Sequence, residues 1–572
     1  MIERRVEAAT LAVISGWLQQ IVDEMDVVVC LSAFSPVISE GYDRASCLFT
    51  EKGKLIVQGR TGLPIFIATM QDALEVQWKT FQGEFSEGDV ILLNDPYYGG
   101  THLQDVKVFK PCFRKGKLAY WLGSTGHWPD IGGPTAGSFN PNAVSVLQEG
   151  VRIPPVKVYK NGKMNEDLVA LLLANVRVSD ERLGDLQAQV GCLNIGEERL
   201  NALLDKWGDD TVKFYVEEYV GRSEQHLRSY IREIPDGVYS AIEHMDNSGN
   251  DNKPVKISLD VIVDGDNMTF DFSNSDPPVQ GPVNAGVSVA KSGVYTFIMH
   301  TFPTVPVNAG IFGPIKFAFS RPTFLNVSYP FPVSAAAAET ASRIYDVCAI
   351  ALSEALPERI PANPHSTINS LVISGLDFKG REYVCFQFTG GGYGGYDGDD
   401  GFPYGAPPVG TARVQPYEVV EMLYPVRIRR FSLRENSGGM GKYRGGWGGI
   451  VELEILAEEA AVTVMGERAR FAPKGMHGGE DGSKNEVYCI IKSSGKVEKP
   501  VFGAKGRFVL HKGDVVVLRS PGGGGYGKPL ERERERILKD IVNEFITVEE
   551  AEKSYNIVSP TQEELDIIRR RL

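Results

Sequence analysis

Cysteine is scarce and poorly placed for cross-links: seven residues, at 30, 47, 112, 192, 348, 385 and 489, an odd number with no CxxC pair. That excludes a structural zinc ribbon and a disulfide framework, and reduced, mostly buried thiols are the expected state. No apolar run approaches the ~18 residues of a membrane span, so no membrane partner is expected. Residues 1–25 lack a signal-peptide core and a small-residue cleavage site, which points to a cytoplasmic chain. Basic residues are outnumbered, 60 Lys and Arg against 73 Asp and Glu, and the net charge of −13 leaves no footprint for nucleic acid. GxSxG is missing, so the sequence offers no nucleophile-elbow signature. GxxxxGK[ST] is missing too, and "DGDDG" at 397–401 does not have the spacing of a calcium loop.

What is present describes a mixed chain. With 572 residues, 42% apolar and 23% charged, there is room for two to four ordinary globular domains. Val6, Ile14, Trp17, Leu18, Ile21 and Met25 recur at helical spacing. Residues 26–160 alternate as short strands around glycine turns, with "SCLFTEKGKLIVQG" and "VKVFKPCFRKGKLAYWLGS" as hairpins and a helix at 65–82 between them. Residues 165–235 read as helical, and "VKISLDVIVDGDNMTFDFSNS" as strands about a DGDN turn. Two helices follow, in "VSVAKSGVYTFIMHTF" and "AETASRIYDVCAIALSEAL", and Thr547 with Glu550 has capping-box spacing near the C-terminus. The expected fold class is multi-domain α+β, rich in strands and glycine loops with interspersed helices. Its expected regions are 1–160 (α+β, with the site described next), 161–235 (helical), 236–365 (α+β), 366–528 (glycine-rich β) and 529–572 (helical). The 62 glycines cluster at 389–401, 437–449 and 520–529, where each run reads as a tight loop rather than a phosphate cradle.

Only eight histidines occur, and two of them flank the second hairpin: His102 in "GGTHLQDV" and His127 in "GSTGHWPDIGG". A turn of Lys115–Gly116–Lys117 pairs Arg114 with Leu118, and counting outwards puts Asp105 opposite His127. Paired side chains share a face with Cβ atoms about 5 Å apart. A two-residue turn would shift the register by one and split the pair across faces. His102, three residues before Asp105, lies in the entering loop, where Gly99 and Gly100 let the backbone bend. Two imidazoles and a carboxylate make a divalent metal site with open positions, suited to zinc, manganese or iron. Such an ion lowers the pKa of water towards ~7 and polarises a substrate oxygen. Asp130 is either a fourth ligand or an orienting partner for a ring. The alternative is two histidines simply hydrogen-bonded in loops.

The ordered segments "SEGYDRASCLF", "GDVILLNDPYYGGTHLQDV", "GSTGHWPDIGGPTAGS", "LQEGVRIPPVKVY", "VPVNAGIFGPIKF", "GGGYGGYDGDDG", "RENSGGMGKYRGGWGG" and "SPGGGGYGKP" resemble the hydantoinase B/oxoprolinase family over nearly the whole chain. The resemblance implies the B (beta) subunit of an ATP-dependent cyclic amide hydrolase, acting on hydantoin, N-methylhydantoin, 5-oxoproline or a lactam. It implies a hydantoinase A-like partner that binds ATP with magnesium and phosphorylates the substrate oxygen, in an α2β2 or higher assembly. Water activated by a zinc or manganese ion on His102, Asp105 and His127, with Asp130 or Asp43 as a further ligand, would then open the ring. The family's ERxDFS segment reads "EGYDRAS" here; Glu40 and Asp43 remain, the arginine and phenylalanine do not. A component of an ATP-dependent ketone carboxylase of the acetone or acetophenone type and a non-catalytic scaffold for the ATPase are the alternatives. The resemblance implies a longer chain for the acetone carboxylase counterpart and a fused one for 5-oxoprolinase, so a separate chain of 572 residues looks more like the hydantoin or lactam hydrolases, and a pure scaffold would need no ligand set.

Overall fold

A computed structural model describes residues 6–571; residues 1–5 of the expected N-terminal region and Leu572 of the C-terminal one lie outside it. The chain divides into two units, each assembled from separated segments. The first comprises 1–239, 260–337 and 409–415, the second 240–259, 338–408 and 416–572. Helices and sheets occur in both, as the α+β expectation has it. No helix among the described residues is long and apolar enough to cross a membrane. Six of the seven cysteines are buried and all are free thiols.

The first unit is built on a seven-stranded antiparallel sheet. Its strands are β1 (Arg44–Thr50), β2 (Leu55–Gln58), β3 (Val90–Leu93), β4 (Asp105–Arg114), β5 (Lys117–His127), β6 (Val156–Lys160) and β7 (Lys163–Met164), in the order β2-β1-β5-β4-β3-β6-β7. Its helices are α1 (Ala8–Ser32), α2 (Pro36–Ser39), α3 (Phe66–Phe81), α4 (Glu166–Leu173), α5 (Ser179–Trp207), α6 (Asp209–Ile231) and α7 (Val287–Thr301). Helix α1 buries Ile14, Leu18, Ile21 and Met25, one stripe at the expected spacing. It packs with α5 on the face formed by Val106, Val108 and Leu122. Gly208, at φ 81°, ends α5 and turns the chain into α6. Helix α3 lies on the opposite face, where the Met70 side chain meets Gly123. That face carries Asp105, Lys107 and Phe109 of β4 and Thr125 and His127 of β5, because side chains alternate along a strand.

The hairpin β4–β5 departs from the expected turn and still delivers the expected pair. Arg114 pairs with Lys117, not Leu118, so the turn has two residues, Lys115 at φ 52° and Gly116 at φ 75°. Two left-handed residues match the twist of the flanking strands, which is why short hairpins favour them. This turn alone would put Asp105 and His127 on opposite faces. A β-bulge restores them: Phe113 pairs with Leu118, Cys112 with Tyr120, and Ala119 is skipped. Asp105 therefore stands opposite His127.

In the second unit two antiparallel sheets share one apolar core. One runs Glu382–Gln387, Ser370–Leu376, Glu459–Met465, Lys505–His511; the other Val426–Leu433, Gly449–Ile455, Val515–Arg519, Glu486–Ile490, Val497–Glu498. Beside them the three glycine clusters form one structure rather than separate tight loops. They lie side by side and bond backbone to backbone: Gly392 N–H to Pro521 O, Gly395 to Gly524, Gly439 to Gly523, Gly446 to Tyr393 and Gly523 to Gly446, at 2.7–3.0 Å. A Cβ on Gly392 would sit 1.9 Å from Gly446 O, and one on Gly523 2.0 Å from Tyr393 O. The peptide groups are thus closer than any side chain permits, and absence of Cβ, not turn conformation, is what these positions require.

A paired substitution checks this. Gly392→Ala should unfold the second unit or destabilise it by roughly 3 kcal/mol or more, since backbone cannot yield as a side chain can. Gly221→Ala, in α6 with open space where the methyl would go, should instead stabilise by about 0.5–1 kcal/mol. Thermal and urea unfolding of both variants reads the difference.

Candidate metal centre

The pairing of β4 with β5 sets two of the three groups, and the loop before β4 supplies the third. Asp95 caps the short turn Pro96–Tyr98 by accepting from Tyr97 N–H, and Gly99, at φ 84°, reverses the chain. Thr101 and His102 are thereby brought back over the start of β4. His102 Nε2 lies 3.0 Å from Asp105 Oδ2, and His127 Nδ1 lies 3.3 Å from Asp105 Oδ1. His102, Asp105 and His127 are all buried, at 4%, 1% and 2% exposure, so solvent cannot be what satisfies them. One ligand atom from each falls within 4.8 Å of the others. Around an ion with bonds of about 2.1 Å, ligands stand about 3.0–3.4 Å apart; both histidine–aspartate distances match, and the donor chemistry suits a divalent ion.

The remaining neighbours orient these groups. His102 Nδ1 donates to Ser334 O at 3.0 Å, which leaves Nε2 facing Asp105. The His127 backbone N–H donates to Asp43 O, and Asp43 Oδ2 is 4.0 Å from His127 Nδ1. Thr101 Oγ donates to Asp105 Oδ2, and Lys107 Nζ donates to Thr101 Oγ at 3.3 Å. Phe139 closes one side, its ring centroid 5.6 Å from His102 and 6.0 Å from His127. Asp130 is not with them. Its carboxylate accepts from the N–H groups of Gly132, Gly137 and Arg177 and pairs with Arg177 Nη1 at 3.1 Å, bracing the loop after β5.

Burial and charge act on each group differently. Burial alone would raise the Asp105 pKa, but the His102 charge and hydrogen bonds from both histidines hold it far below the usual carboxylate range. Burial works against the charged form of His102, yet the Asp105 carboxylate prevails and its pKa is raised. Asp43 is pushed up to about 6 by burial, which the His127 charge only partly opposes. Burial brings Lys107 down to about 8, against the pull of Asp105. The structure brings together His102, Asp105, His127 and Asp43, four residues that the sequence singles out. The sequence does not mark Thr101, Lys107, Phe139 and Ser334; the last lies 232 residues from its partner, with no local signal to reveal it.

The profile of the hydantoinase B/oxoprolinase family matches residues 7–529. The chain is 33% identical to the beta subunit of caprolactamase from Pseudomonas jessenii over 98% of each chain. The crystal structure of ATP-dependent caprolactamase from Pseudomonas jessenii superposes with a TM-score of 0.92 at 30% identity, over 99% of this chain and 100% of that one. A protein of Pseudomonas sp. (strain NS671) named as the B-type subunit of a D-/L-hydantoinase is 29% identical over 98% of this chain and 97% of its own. An acetone carboxylase structure shares the fold, with a TM-score of 0.89 at 19% identity over 99% of this chain and 83% of that one.

Purified protein is expected to carry about one divalent ion per chain, and His102→Ala or His127→Ala to lose it. Elemental analysis finding equal metal in all three would return the histidines to the hydrogen-bonded loop reading. Binding should strengthen as pH rises. His102 keeps its proton above the ordinary histidine value of about 6.5, and that proton must leave before Nε2 can act as a ligand. A zinc titration at two pH values, with proton release measured, tests the sign.

Proposed function

Because the chain belongs to the hydantoinase B/oxoprolinase family, we propose that it is the beta subunit of an ATP-dependent cyclic amide hydrolase, opening a lactam, hydantoin or oxoproline ring. The observation that supports the reading is the His102–Asp105–His127 set, gathered by the β4–β5 register and the loop before β4, in a chain that is similar over 98% of its length to the beta subunit of caprolactamase. A hydantoinase A-like partner, in an α2β2 or higher cytoplasmic assembly, would use ATP and magnesium to phosphorylate the ring carbonyl oxygen. That converts an unreactive amide into an imidate-like carbon with a good leaving group.

In this scheme His102 Nε2, His127 and Asp105 hold a zinc or manganese ion, with Asp43 beside His127. The ion, when bound, supplies Lewis acidity towards a substrate oxygen and towards water. The protein's part is orientation and exclusion. Ser334 O fixes the Nδ1–H form of His102, so that Nε2 is the nitrogen offered. Asp105, held ionised by its neighbours, supplies the negative charge that favours a divalent over a monovalent guest. Thr101 and Lys107 neutralise the outer side of that carboxylate, and Phe139 keeps bulk water from one flank.

Two measurements test the division of labour. The isolated chain should bind ATP neither tightly nor productively, as it has no phosphate-binding motif; tight binding in calorimetry would contradict the scheme. In the assembled enzyme Asp105→Ala should cut ring opening by at least about 100-fold, the scale for losing one preorganised electrostatic partner. ATP turnover should then persist, so that ADP is released without matching product. Equal loss of ADP and product, in an intact complex, would place this site in phosphoryl transfer instead. Dependence of product on bicarbonate would move the enzyme to the carboxylase class.

A further inference from the structure

The segment 329–334, "YPFPVS", comes from far along the chain yet is fastened over the metal centre at every turn. Tyr97 Oη donates to Phe331 O, and Val146 N–H to Pro330 O at 2.9 Å. The Arg152 guanidinium, paired with Asp95 at 2.9 Å, stacks 4.5 Å from the Tyr329 ring centroid. The strongest hold is Glu149. It is fully buried, and its two carboxylate oxygens take two consecutive backbone N–H groups, Val333 to Oε2 and Ser334 to Oε1, each at 2.8 Å. The carbonyl of that same Ser334 accepts the Nδ1–H of His102. One residue of backbone thus links a buried carboxylate to the imidazole.

We infer that Glu149 is a positioning residue, holding the Val333–Ser334 backbone so that the Ser334 carbonyl fixes the tautomer of His102 and aims Nε2 at the ion. The inference rests on the metal reading proposed above. Burying a carboxylate carries a desolvation penalty that anchoring an ordinary loop does not call for. What it offers here is two acceptors side by side. An amide has only one, and its NH2 would face the second N–H, so glutamine cannot reproduce the clamp despite its equal size. With the segment loosened, Ser334 O no longer selects Nδ1–H, and part of the population carries the proton on the ligating nitrogen. Outer partners of this kind typically set 10- to 100-fold in metal affinity.

Metal-free wild type, Glu149→Gln, Tyr97→Phe and His102→Ala are titrated with zinc and with manganese by calorimetry, below the melting temperature of each. Histidine side-chain 15N spectra report the tautomer, tractable with eight histidines in the chain. Glu149→Gln should bind about 10- to 100-fold more weakly, with the Nδ1–H signature of His102 lost or averaged. Tyr97→Phe, isosteric and loosening the same segment, should shift both readouts in the same direction by less, and stands in if Glu149→Gln fails to fold. Wild-type affinity and an unchanged tautomer in both, with His102→Ala still losing the ion, would overturn the positioning role alone and leave the metal site standing. A wild type that binds neither ion would remove the metal reading, and this inference with it.

Discussion

One cross-strand pair governs the site: Asp105 of β4 opposite His127 of β5. Strand periodicity makes that register all-or-none, since a slip of one residue exchanges the two faces of the sheet. The far face has no room for an imidazole. Gly126 occupies it now, and even a Cβ there would meet the Ile38 side chain at 2.9 Å. Exclusion on one face and carboxylate on the other therefore hold His127 where it is. The two-residue turn and the skipped Ala119 are compensating irregularities, each of which would misplace the pair without the other.

Around that pair the structure collects groups whose burial makes sense only together. A lone buried Asp105 would be heavily penalised; two imidazoles, a threonine hydroxyl and the Lys107 ammonium share its charge. The same partners hold it ionised, which is the state a ligand must be in. Asp43 sits at the margin of this arrangement with the opposite shift, so the two carboxylates differ in character although both approach His127.

The hairpin, the helix stripes and the histidine–aspartate set are legible in sequence because their information is local: alternation over ten residues, or repeats of three and four. Counting from a three-residue turn pairs Asp105 with His127, and that pairing holds only because the skipped Ala119 offsets a turn one residue shorter, which no local signal reveals. Ser334 and Glu149 are not legible as partners of His102, since only the closed tertiary structure brings residues so distant in sequence within hydrogen-bonding range. Asp130 shows the opposite failure. Three residues from His127, it has the spacing of a ligand, but its oxygens are committed to backbone N–H groups and Arg177. Nor does spacing within one cluster reveal that the glycine runs lie against one another; each cluster is intelligible only beside the next.

That glycine assembly has a thermal consequence. Its contacts are peptide against peptide, so melting it hydrates mainly polar surface, which lowers heat capacity by roughly 0.26 cal/K/mol per Å² where apolar surface raises it by roughly 0.45. The second unit should therefore have a flatter stability curve than its size implies, with less curvature towards both cold and heat. Its ordering entropy, by contrast, is unusually unfavourable, because glycine surrenders more backbone freedom than any other residue. Many short, well-aligned peptide hydrogen bonds must offset that loss enthalpically, which makes this part of the chain a brittle solid rather than an oily interior.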